Sequence, residues 1–421
     1  STSRSGPPSS PTSPTAFRSR ATWRSNTGGI FATWRGRPAD ARHGPRGEAG
    51  VRILIANRRL CDYTGTEIVT RDLALAFRSL GHQPVVYSPW LGGPAREVEA
   101  AGIPVHRDLR LLPAAPDVVH GNHPKPLLDA LFRFPGVPAV AVCHDATSPR
   151  DEPVFHPRIL RYVAVDERCR RRLAQEAAIP RDRILVRPNA VDLARFTQRP
   201  PLPAVPARAV VFSNNASWRT HLPAVRAACR RASLALDVVG GGARAQLSRP
   251  ETVLGQYDVV FAKARCALEA LATGAAVVLC DAGGLGPMVT SANVEHLRRF
   301  NFGQGVLTRR PTAEAILAEL QHYDASDAAR VCTRVRAEAG LEPSAREWIH
   351  LYGEVVEEAR RGLPTDGLEG RTALDQLQAR WRWEARLERQ EAWWQMLEPL
   401  PFVGSPLARI ARRVALSWPG D

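Results

Sequence analysis

Apolar runs and helical patterns alternate along the chain from Val51 onward. The first run ends at Ala56, and apolar residues then recur every three or four positions as far as Leu80, where Gly81 follows. Short continuous apolar runs predict strands buried on both faces, whereas the wider spacing predicts amphipathic helices. Because strands that alternate with helices are typical of βαβ units, the sequence predicts an α/β protein with parallel sheets.

The predicted strands form two sets separated by a proline-rich stretch. The first set is 51–56, 85–87, 117–120, 137–143, 162–165 and 184–186, and the second is 209–212, 234–239, 258–261 and 275–279. Residues 197–207 are rich in proline, which neither continues a helix nor lies inside a sheet. We therefore expect two doubly wound, Rossmann-like domains, 51–196 and 208–340, joined by the linker 197–207 and facing each other across a ligand-binding cleft.

The two ends of the chain differ from the middle in composition. Residues 1–50 are rich in serine, proline and arginine and poor in periodic apolar positions, so we expect a disordered basic arm. We expect closing helices over 341–363 and a helical tail rich in tryptophan and arginine over 364–421. Two interpretations of this tail stay open. Its tryptophans pack on the protein or a partner subunit, which we favour, or they contact an anionic membrane surface.

Composition narrows the class of protein further. The 421 residues carry a net charge of +15, almost all of it from arginine because Lys125 and Lys263 are the only lysines, and we expect no specific nucleic-acid binding. The 7 cysteines form no C-x-x-C pair, which argues against structural zinc. No apolar run approaches the roughly 18 residues that span a membrane, and the N-terminus lacks a signal-peptide core. We expect a cytoplasmic protein, with peripheral membrane contact as the alternative.

The most informative segment runs from Cys266 to Gly284. Strong helix formers end at Gly274, and an apolar strand then leads into a second glycine turn. Ligands of open parallel sheets bind beyond the carboxyl ends of the strands, where helix N-termini and glycine turns meet anionic groups. Glu269, the single carboxylate of the helix, is therefore a candidate partner for a ligand hydroxyl. The alternative is that Glu269 is solvated in the first turn and favours the helix dipole.

Basic residues and glycines flank this helix. Lys263 and Arg265 immediately precede it, where their charges would attract a diphosphate, although Arg265 could instead be a solvated surface charge. The glycine run 240–242 follows the predicted strand 234–239 and suits a close backbone approach to a nucleotide at Gly241.

Several segments, in their order along the chain, resemble the retaining glycosyltransferases of the GT-B fold, the glycosyltransferase family 4-like or group 1 enzymes. In the first domain they are Thr64-Gly65-Thr66-Glu67, Leu80-Gly81-His82 and Ala141-Val142-Cys143-His144-Asp145. At the domain junction and in the second domain they are Arg187-Pro188-Asn189-Ala190-Val191-Asp192 and Ala267-Leu268-Glu269-Ala270-Leu271-Ala272-Thr273-Gly274. The resemblance spans about 51–360.

This resemblance implies a hexosyltransferase-type enzyme. It implies transfer, with retention, from a nucleotide-sugar donor bound by the second domain to an acceptor on the side of the first. The acceptor is a glycan, a lipid-linked molecule or a small molecule. His144 is then the catalytic group beside the reacting sugar, Gly65 lines the diphosphate and acceptor, and Glu269 accepts the ribose hydroxyls. The other donor-binding candidates are Asn189, Arg219, Gly241, Lys263 and Arg265. No metal is expected, because the candidate site is rich in arginine and no suitable loop has an Asp-x-Asp element, and no cofactor is expected, because the nucleotide sugar is a substrate.

Two positions depart from the family pattern. Phe261 stands where the first glutamate of a Glu-x7-Glu pattern is usual, and only Arg219 can replace the arginine and lysine that usually follow the first strand of the second domain. Two other functions therefore stay open: a catalytically silent GT-B-like protein that binds a nucleotide sugar or a glycan, and a nucleotide-sugar epimerase. Hydrolysis of the donor by the purified protein distinguishes an enzyme from a binding protein.

Overall fold

A computed structural model describes residues 50–175, 179–240 and 247–363, and it contains a seven-stranded parallel sheet in the order β3-β2-β1-β4-β5-β6-β7. The strands of this first sheet are β1 (Arg52–Ala56), β2 (Gln83–Tyr87), β3 (Val105–His106), β4 (Val118–Gly121), β5 (Ala139–Cys143), β6 (Ile159–Ala164) and β7 (Ile184–Val186). Its helices are α1 (Gly65–Ser79), α2 (Gly93–Ala100), α3 (Pro124–Arg133) and α4 (Glu167–Gln175). The chain order reverses between β1 and β4, so the loops that follow these two strands diverge and leave a crevice at the carboxyl edge.

The second sheet has five strands in the order β12-β11-β10-β8-β9. They are β8 (Arg208–Phe212), β9 (Ala235–Val239), β10 (Val259–Ala262), β11 (Ala276–Asp281) and β12 (Gly284–Met288). The expectation of parallel strands is wrong for β12, which pairs antiparallel with β11. Gly284 has a φ of +147° and turns the chain straight back on itself, whereas a parallel strand would need a crossover helix.

Helices cover this second sheet and then return to the first. They are α5 (Leu222–Arg231), α6 (Ala264–Thr273), α7 (Val294–Arg299), α8 (Ala313–Leu320), α9 (Ala325–Glu338) and α10 (Leu341–Arg361). Trp348, Leu351 and Tyr352 of α10 are buried in the core of the first sheet. Hydrogen bonds from Val191 N to Ala339 O and from Leu341 N to Val191 O tie the start of α10 to the segment after β7. The last described helix therefore belongs to the packing of the first sheet.

The α/β class and the Rossmann-like arrangement are confirmed. All described residues fall within one compact unit that begins at Ala49, and the domain boundaries that we set from the sequence stay predictions. The expected basic arm up to residue 49, Gly241 and the tail 364–421 lie outside the described residues. Within the described part of the chain, no helix is both long and apolar enough to cross a membrane. All 7 cysteines fall in that part and are free thiols.

Candidate functional site

Polar side chains follow the central strands of the first sheet at its carboxyl edge. Asn122 comes directly after β4 and His144 directly after β5. The Nε2 atom of His144 lies 2.8 Å from Oδ1 of Asn122, and the same oxygen lies 3.0 Å from Nε2 of His120. Nδ1 of His120 lies 2.7 Å from the hydroxyl of Tyr352 on α10. Parallel strands deliver their carboxyl ends to one edge, and this is why residues 22 positions apart in the sequence are in contact.

The histidines of this edge are neutral. Burial, reinforced by the neighbouring His123 and His120, lowers the pKa of His144 to about 3. Burial also lowers the pKa of His120 to about 4 and that of His123 to about 4. A ring with such a pKa carries one proton at neutral pH, so it offers one donor and one acceptor. A His144 ring in this state can donate and accept hydrogen bonds, and it is not an imidazolium ion.

A titratable carboxyl group lies beside the histidines. The backbone N of His144 is 3.5 Å from Oδ1 of Asp151, and this carboxyl group is buried. Burial, reinforced by the charge of Asp145, raises the pKa of Asp151 to about 7. Asp151 thus changes its charge near neutral pH beside the uncharged histidines.

The carboxyl edge of the second sheet is charged and internally paired. Nζ of Lys263, which follows β10, lies 2.6 Å from a carboxylate oxygen of Asp281 at the end of β11. The same carboxylate accepts hydrogen bonds from the Ser213 hydroxyl at 2.8 Å and from the Asn215 side chain at 3.1 Å. Burial disfavours the charged form of Asp281, but Lys263 and these donors prevail and lower its pKa. The charge of Lys263, which we expected to face a diphosphate, is therefore already matched.

Arg265 is the centre of a second set of buried ion pairs. Its Nε donates to Glu269 Oε1 at 2.7 Å one turn along α6, and its Nη2 donates to Asp72 on α1. Asp72 also binds Arg71 at 2.7 Å and lies 3.5 Å from Arg195. Burial opposes the charge of Asp72, but Arg265 and Arg71 together outweigh it and lower its pKa. The contact joins helices that are 193 residues apart in the sequence.

Two interpretations offered by the sequence are wrong. Glu269 is 5% exposed and Arg265 is 7% exposed, so neither side chain is a solvated surface charge. The first turn of α6 holds no acidic residue, because the helix begins at Ala264 and Glu269 lies in its second turn. Burial raises the pKa of Glu269, and the paired Arg265 opposes this effect.

Five of the predicted site residues line two neighbouring pockets, whereas Lys263 and Arg219 line neither. The first, here called the glycine pocket, is lined among others by Gly65, Arg71, Arg195, Gly240, Arg265 and Glu269. The second, here called the histidine pocket, is lined among others by Asp72, His120, Asn122, His144, Asn189, Arg265 and Trp348. Arg265 lines both pockets. The structure thus brings Gly65 and Glu269 together in one pocket, and His144 and Asn189 together in the next.

Two other candidates are held by contacts of their own. Asn189 donates its backbone N–H to Asn301 Oδ1 at 3.1 Å, and its carbonyl accepts from Arg298 at 2.5 Å. Arg219 is exposed, and its guanidinium lies 4.6 Å from the centre of the Trp218 ring. Arg219 lines neither pocket. In this conformation it therefore does not replace the arginine and lysine that the family usually has after the first strand of the second domain.

The turn after β9 requires a glycine because another segment of the protein lies very close to it. Gly240 has a φ of +139°, and a Cβ at this position would lie 2.1 Å from the carbonyl oxygen of Ser213. A Cβ at Gly65, by contrast, would meet no atom within 4 Å, so there is open space at the start of α1. The backbone of α1 can therefore be approached closely from the glycine pocket.

The sequence did not reveal Asp72, Asn122 or Asp281 as site residues. Asn122 and Asp281 carry a weak signal, because each is a polar residue at the end of an apolar strand. Asp72 carries no such signal in the sequence, because its role depends on contact with Arg265, which lies on a helix 193 residues further along the chain. Phe261 is fully buried in the core and lines neither pocket, so the position of the missing glutamate contributes no side chain to them.

One group of side chains among the described residues has the spacing of metal ligands. Candidate ligand atoms of Cys61, Asp62 and Glu67 lie within 4.8 Å of one another. Glu67 accepts a hydrogen bond from the backbone N of Asp62 at 2.5 Å, and the Cys61 thiol lies 3.4 Å from a carboxylate oxygen of Asp62. Burial raises the pKa of Glu67 to about 7. These internal contacts account for the group, and we assign no metal to it.

Comparison with known families and structures identifies the fold. Residues 63–195 match the family model described as Glycosyltransferase Family 4. The chain is similar to the crystal structure of a glycosyltransferase from Rickettsia africae ESF-5, with a TM-score of 0.54 and 15% identity over 73% of this chain and 99% of that one. Identity this low establishes the fold alone. No curated protein sequence matches the chain.

Two further solved structures align over similar lengths. Sucrose-phosphate synthase from Thermosynechococcus elongatus has a TM-score of 0.48 and 13% identity over 73% of this chain and 99% of that chain. A UDP-N-acetylglucosamine 2-epimerase has a TM-score of 0.42 and 12% identity over 72% of this chain and 97% of that chain. These scores are too low to carry a conclusion. The resemblance to GT-B glycosyltransferases is confirmed by the family match and the first structure together.

Proposed function

We propose that this protein transfers a sugar from a nucleotide-sugar donor to an acceptor, with retention of configuration. The single observation that carries the proposal is the glycine pocket, in which Gly65, Arg265 and Glu269 meet although they come from distant segments of the chain. The match of residues 63–195 to a glycosyltransferase family supports the same class of reaction.

The pocket has groups suited to each part of such a donor. Transfer requires stabilisation of the departing diphosphate, and Arg71, Arg195 and Arg265 line the pocket that would hold it. Asp72 contacts all three guanidinium groups and so holds them together against their mutual repulsion. Glu269 uses Oε1 to bind Arg265, and its carboxylate lines the same pocket, where it can accept ribose hydroxyls.

The chemistry of the sugar itself is assigned to the histidine pocket. His144 is neutral and lines a pocket that shares Arg265 with the glycine pocket. A neutral imidazole beside the reacting sugar can orient a hydroxyl group of that sugar by a hydrogen bond. It does not take up the proton that the acceptor substrate releases. We infer no role for a metal in this sequence of steps, and the acceptor class stays open between a glycan, a lipid-linked molecule and a small molecule.

The proposal is tested by nucleotide binding to a matched pair of variants. Glu269→Gln should weaken binding of a nucleoside diphosphate by about 1.5 kcal/mol, which is roughly tenfold, since a hydrogen bond to a charged acceptor is lost. Glu319→Gln is the control, because Glu319 is also a buried helical glutamate paired with an arginine but lies outside both pockets. Titration calorimetry with uridine, guanosine, adenosine, cytidine and thymidine diphosphates measures both. Equal affinities in the two folded variants would remove Glu269 from the site.

A catalytically silent binding protein is the second candidate. The complete burial of Phe261 favours it, because the carboxylate that usually orients the donor sugar has no counterpart at that position. Incubation with UDP-glucose, UDP-N-acetylglucosamine, GDP-mannose, ADP-glucose and dTDP-glucose separates the two. Release of a nucleoside diphosphate establishes an enzyme, and the anomeric configuration of the product determines whether the reaction is retaining. Binding without release of diphosphate establishes the silent protein.

A further inference from the structure

We propose that Asn122 is a positioning residue that keeps Nδ1 of His144 unprotonated and available to a hydroxyl group of the donor sugar. The proposal rests on the proposed function and extends it to the part of the donor that His144 meets. Asn122 acts through a row of hydrogen bonds that runs from His144 to Tyr352 on α10.

The row is continuous, and it is buried from Asn122 to Tyr352, while His144 at its other end is partly exposed. Oδ1 of Asn122 lies 2.8 Å from Nε2 of His144 and 3.0 Å from Nε2 of His120. The Asn122 amide nitrogen lies 2.9 Å from Oγ1 of Thr70, and that hydroxyl donates to the Thr66 carbonyl at 2.9 Å. At the far end the Tyr352 hydroxyl lies 2.7 Å from Nδ1 of His120.

The direction of each hydrogen bond follows from the two ends of the row. The Tyr352 hydroxyl has one proton, and His120 Nδ1 is its one hydrogen-bond partner in the described part of the chain, so Tyr352 donates and His120 is protonated on Nε2. Thr70 donates to Thr66 and must therefore accept from the amide nitrogen of Asn122. Both ends place Oδ1 of Asn122 toward the histidines as the acceptor.

His144 is fixed by the same argument. Its Nε2 faces an acceptor, so Nε2 carries the single proton of the neutral ring and Nδ1 carries none. Nδ1 has no hydrogen-bond partner among the described residues, and His144 lines the histidine pocket. The ring therefore presents an acceptor to this pocket, and the ligand chemistry that suits an acceptor is a hydroxyl donor.

The free acceptor on His144 predicts which donor sugars the pocket can bind. A site built to accept a hydrogen bond from a hydroxyl group discriminates against an analogue that lacks the hydroxyl, because the bound analogue covers the acceptor and leaves it without a partner. The nucleotide sugar should therefore carry a hydroxyl group at the carbon that faces His144, and the deoxy sugar at that carbon should be a poor substrate. The nucleoside diphosphate part, which lies in the glycine pocket, is not affected.

The tautomers are tested first, without any ligand. Histidine labelled with 15N reports which ring nitrogen carries the proton, and His144→Gln and His120→Gln identify the two sets of signals. At pH 7 both rings should show the Nε2–H form. A His144 ring with the proton on Nδ1 would overturn the proposal.

Kinetic variants test the function of the row. Asn122→Leu should lower kcat/KM at least tenfold for whichever of the five nucleotide sugars is turned over fastest, and should change the affinity for its nucleoside diphosphate by less than about twofold. Asn122→Asp keeps the acceptor but loses the donor to Thr70 and adds a negative charge beside the histidines, so it should recover only part of the activity. Tyr352→Phe should lower kcat/KM to a smaller degree. Tyr162→Phe is its matched control, since Tyr162 is a buried tyrosine whose hydroxyl binds the Val154 carbonyl outside the row.

The outcomes separate the two proposals. If one of the nucleotide sugars reacts but Asn122→Leu and Tyr352→Phe resemble Tyr162→Phe, positioning by Asn122 is overturned and the proposed function stands. Equal losses of affinity for nucleotide sugar and nucleoside diphosphate would also overturn it, because they indicate a purely structural role. If none of the five sugars binds or reacts, the proposed function fails, and the role of Asn122 fails with it even where the tautomers are as expected.

Discussion

The carboxyl edges of the two sheets differ in the charge of the side chains that follow their strands. At the first sheet, His120, Asn122 and His144 form an uncharged hydrogen-bonded row. At the second, Lys263 and Arg265 are charged and each is paired with a buried carboxylate. A neutral row can meet sugar hydroxyls without a large desolvation cost, whereas an anionic diphosphate requires cations. Under the proposed function, the uncharged row would therefore meet the sugar and the charged edge would meet the diphosphate.

The comparison also shows how the buried arginines of the charged edge are stabilised. An isolated buried arginine is very unfavourable, so the arginines of the glycine pocket are matched by Asp72 and Glu251. The hydrogen-bonded row of the first edge needs no counter-charges, but its hydrogen bonds must have one consistent direction from Tyr352 to His144. The two edges should accordingly fail in different ways when they are mutated.

The largest effect is expected at the charged edge. Asp72→Ala should lower the free energy of unfolding by about 3 to 5 kcal/mol, because it leaves Arg71 and Arg265 buried without their shared carboxylate. Guanidinium denaturation measures this. Glu342→Ala breaks an exposed pair with Arg346 and should change stability very little. If the Asp72 variant is as stable as the Glu342 variant, the Asp72 carboxylate does not offset the buried charges of Arg71 and Arg265.

The second effect tests whether the first edge is neutral. The folded pKa of Asp151 is raised to about 7, above an unfolded value near 4, so its contribution to stability is complete below about pH 4 and is lost as the pH rises through 7. Asp151→Asn removes this loss. It should stabilise the protein by up to about 4 kcal/mol at pH 8, which is the free energy of a pKa shift of about three units, and have little effect at pH 4.

Denaturation curves across this pH range measure the difference between wild type and variant. The histidines contribute with the opposite sign, because their depressed pKa values give stability above about pH 6.5 that is lost as the pH falls toward 4. This contribution is common to both proteins and cancels. Asp182→Asn, at an exposed position, is the control. A constant difference between wild type and Asp151→Asn at all pH values would contradict the assignment.

The smallest effect concerns the backbone between the two cations of the charged edge. Ala264 has a φ of +49°, a left-handed conformation that costs a residue with a Cβ about 1 kcal/mol. Ala264→Gly should therefore leave stability unchanged or raise it by up to about 1 kcal/mol. Ala329→Gly, at an exposed position in α9, should lower it by about 1 kcal/mol. Thermal unfolding compares the two, and equal destabilisation would argue against strain at Ala264.

Much of the fold was predictable from local patterns. The strand Ile184–Val186 and the helix from Gly65 to Ser79 follow directly from apolar runs and three-to-four spacing. The antiparallel β12 was not predicted, because its Gly-Leu-Gly-Pro-Met sequence lacks the apolar run of a buried strand. Its pairing depends on β11, which lies beside it after the turn.

By itself the sequence determined the α/β class, the two sets of strands and the likeness to GT-B glycosyltransferases, because these depend on periodicity and on short motifs. It also placed Glu269 and His144 in pockets of the molecule, since residues that follow strands collect at one edge. Only the tertiary structure decided that Arg265 binds Asp72 and that Asn122 lies between two histidines. Those contacts join segments far apart in the chain, and their charges and proton positions depend on burial, which no local pattern specifies.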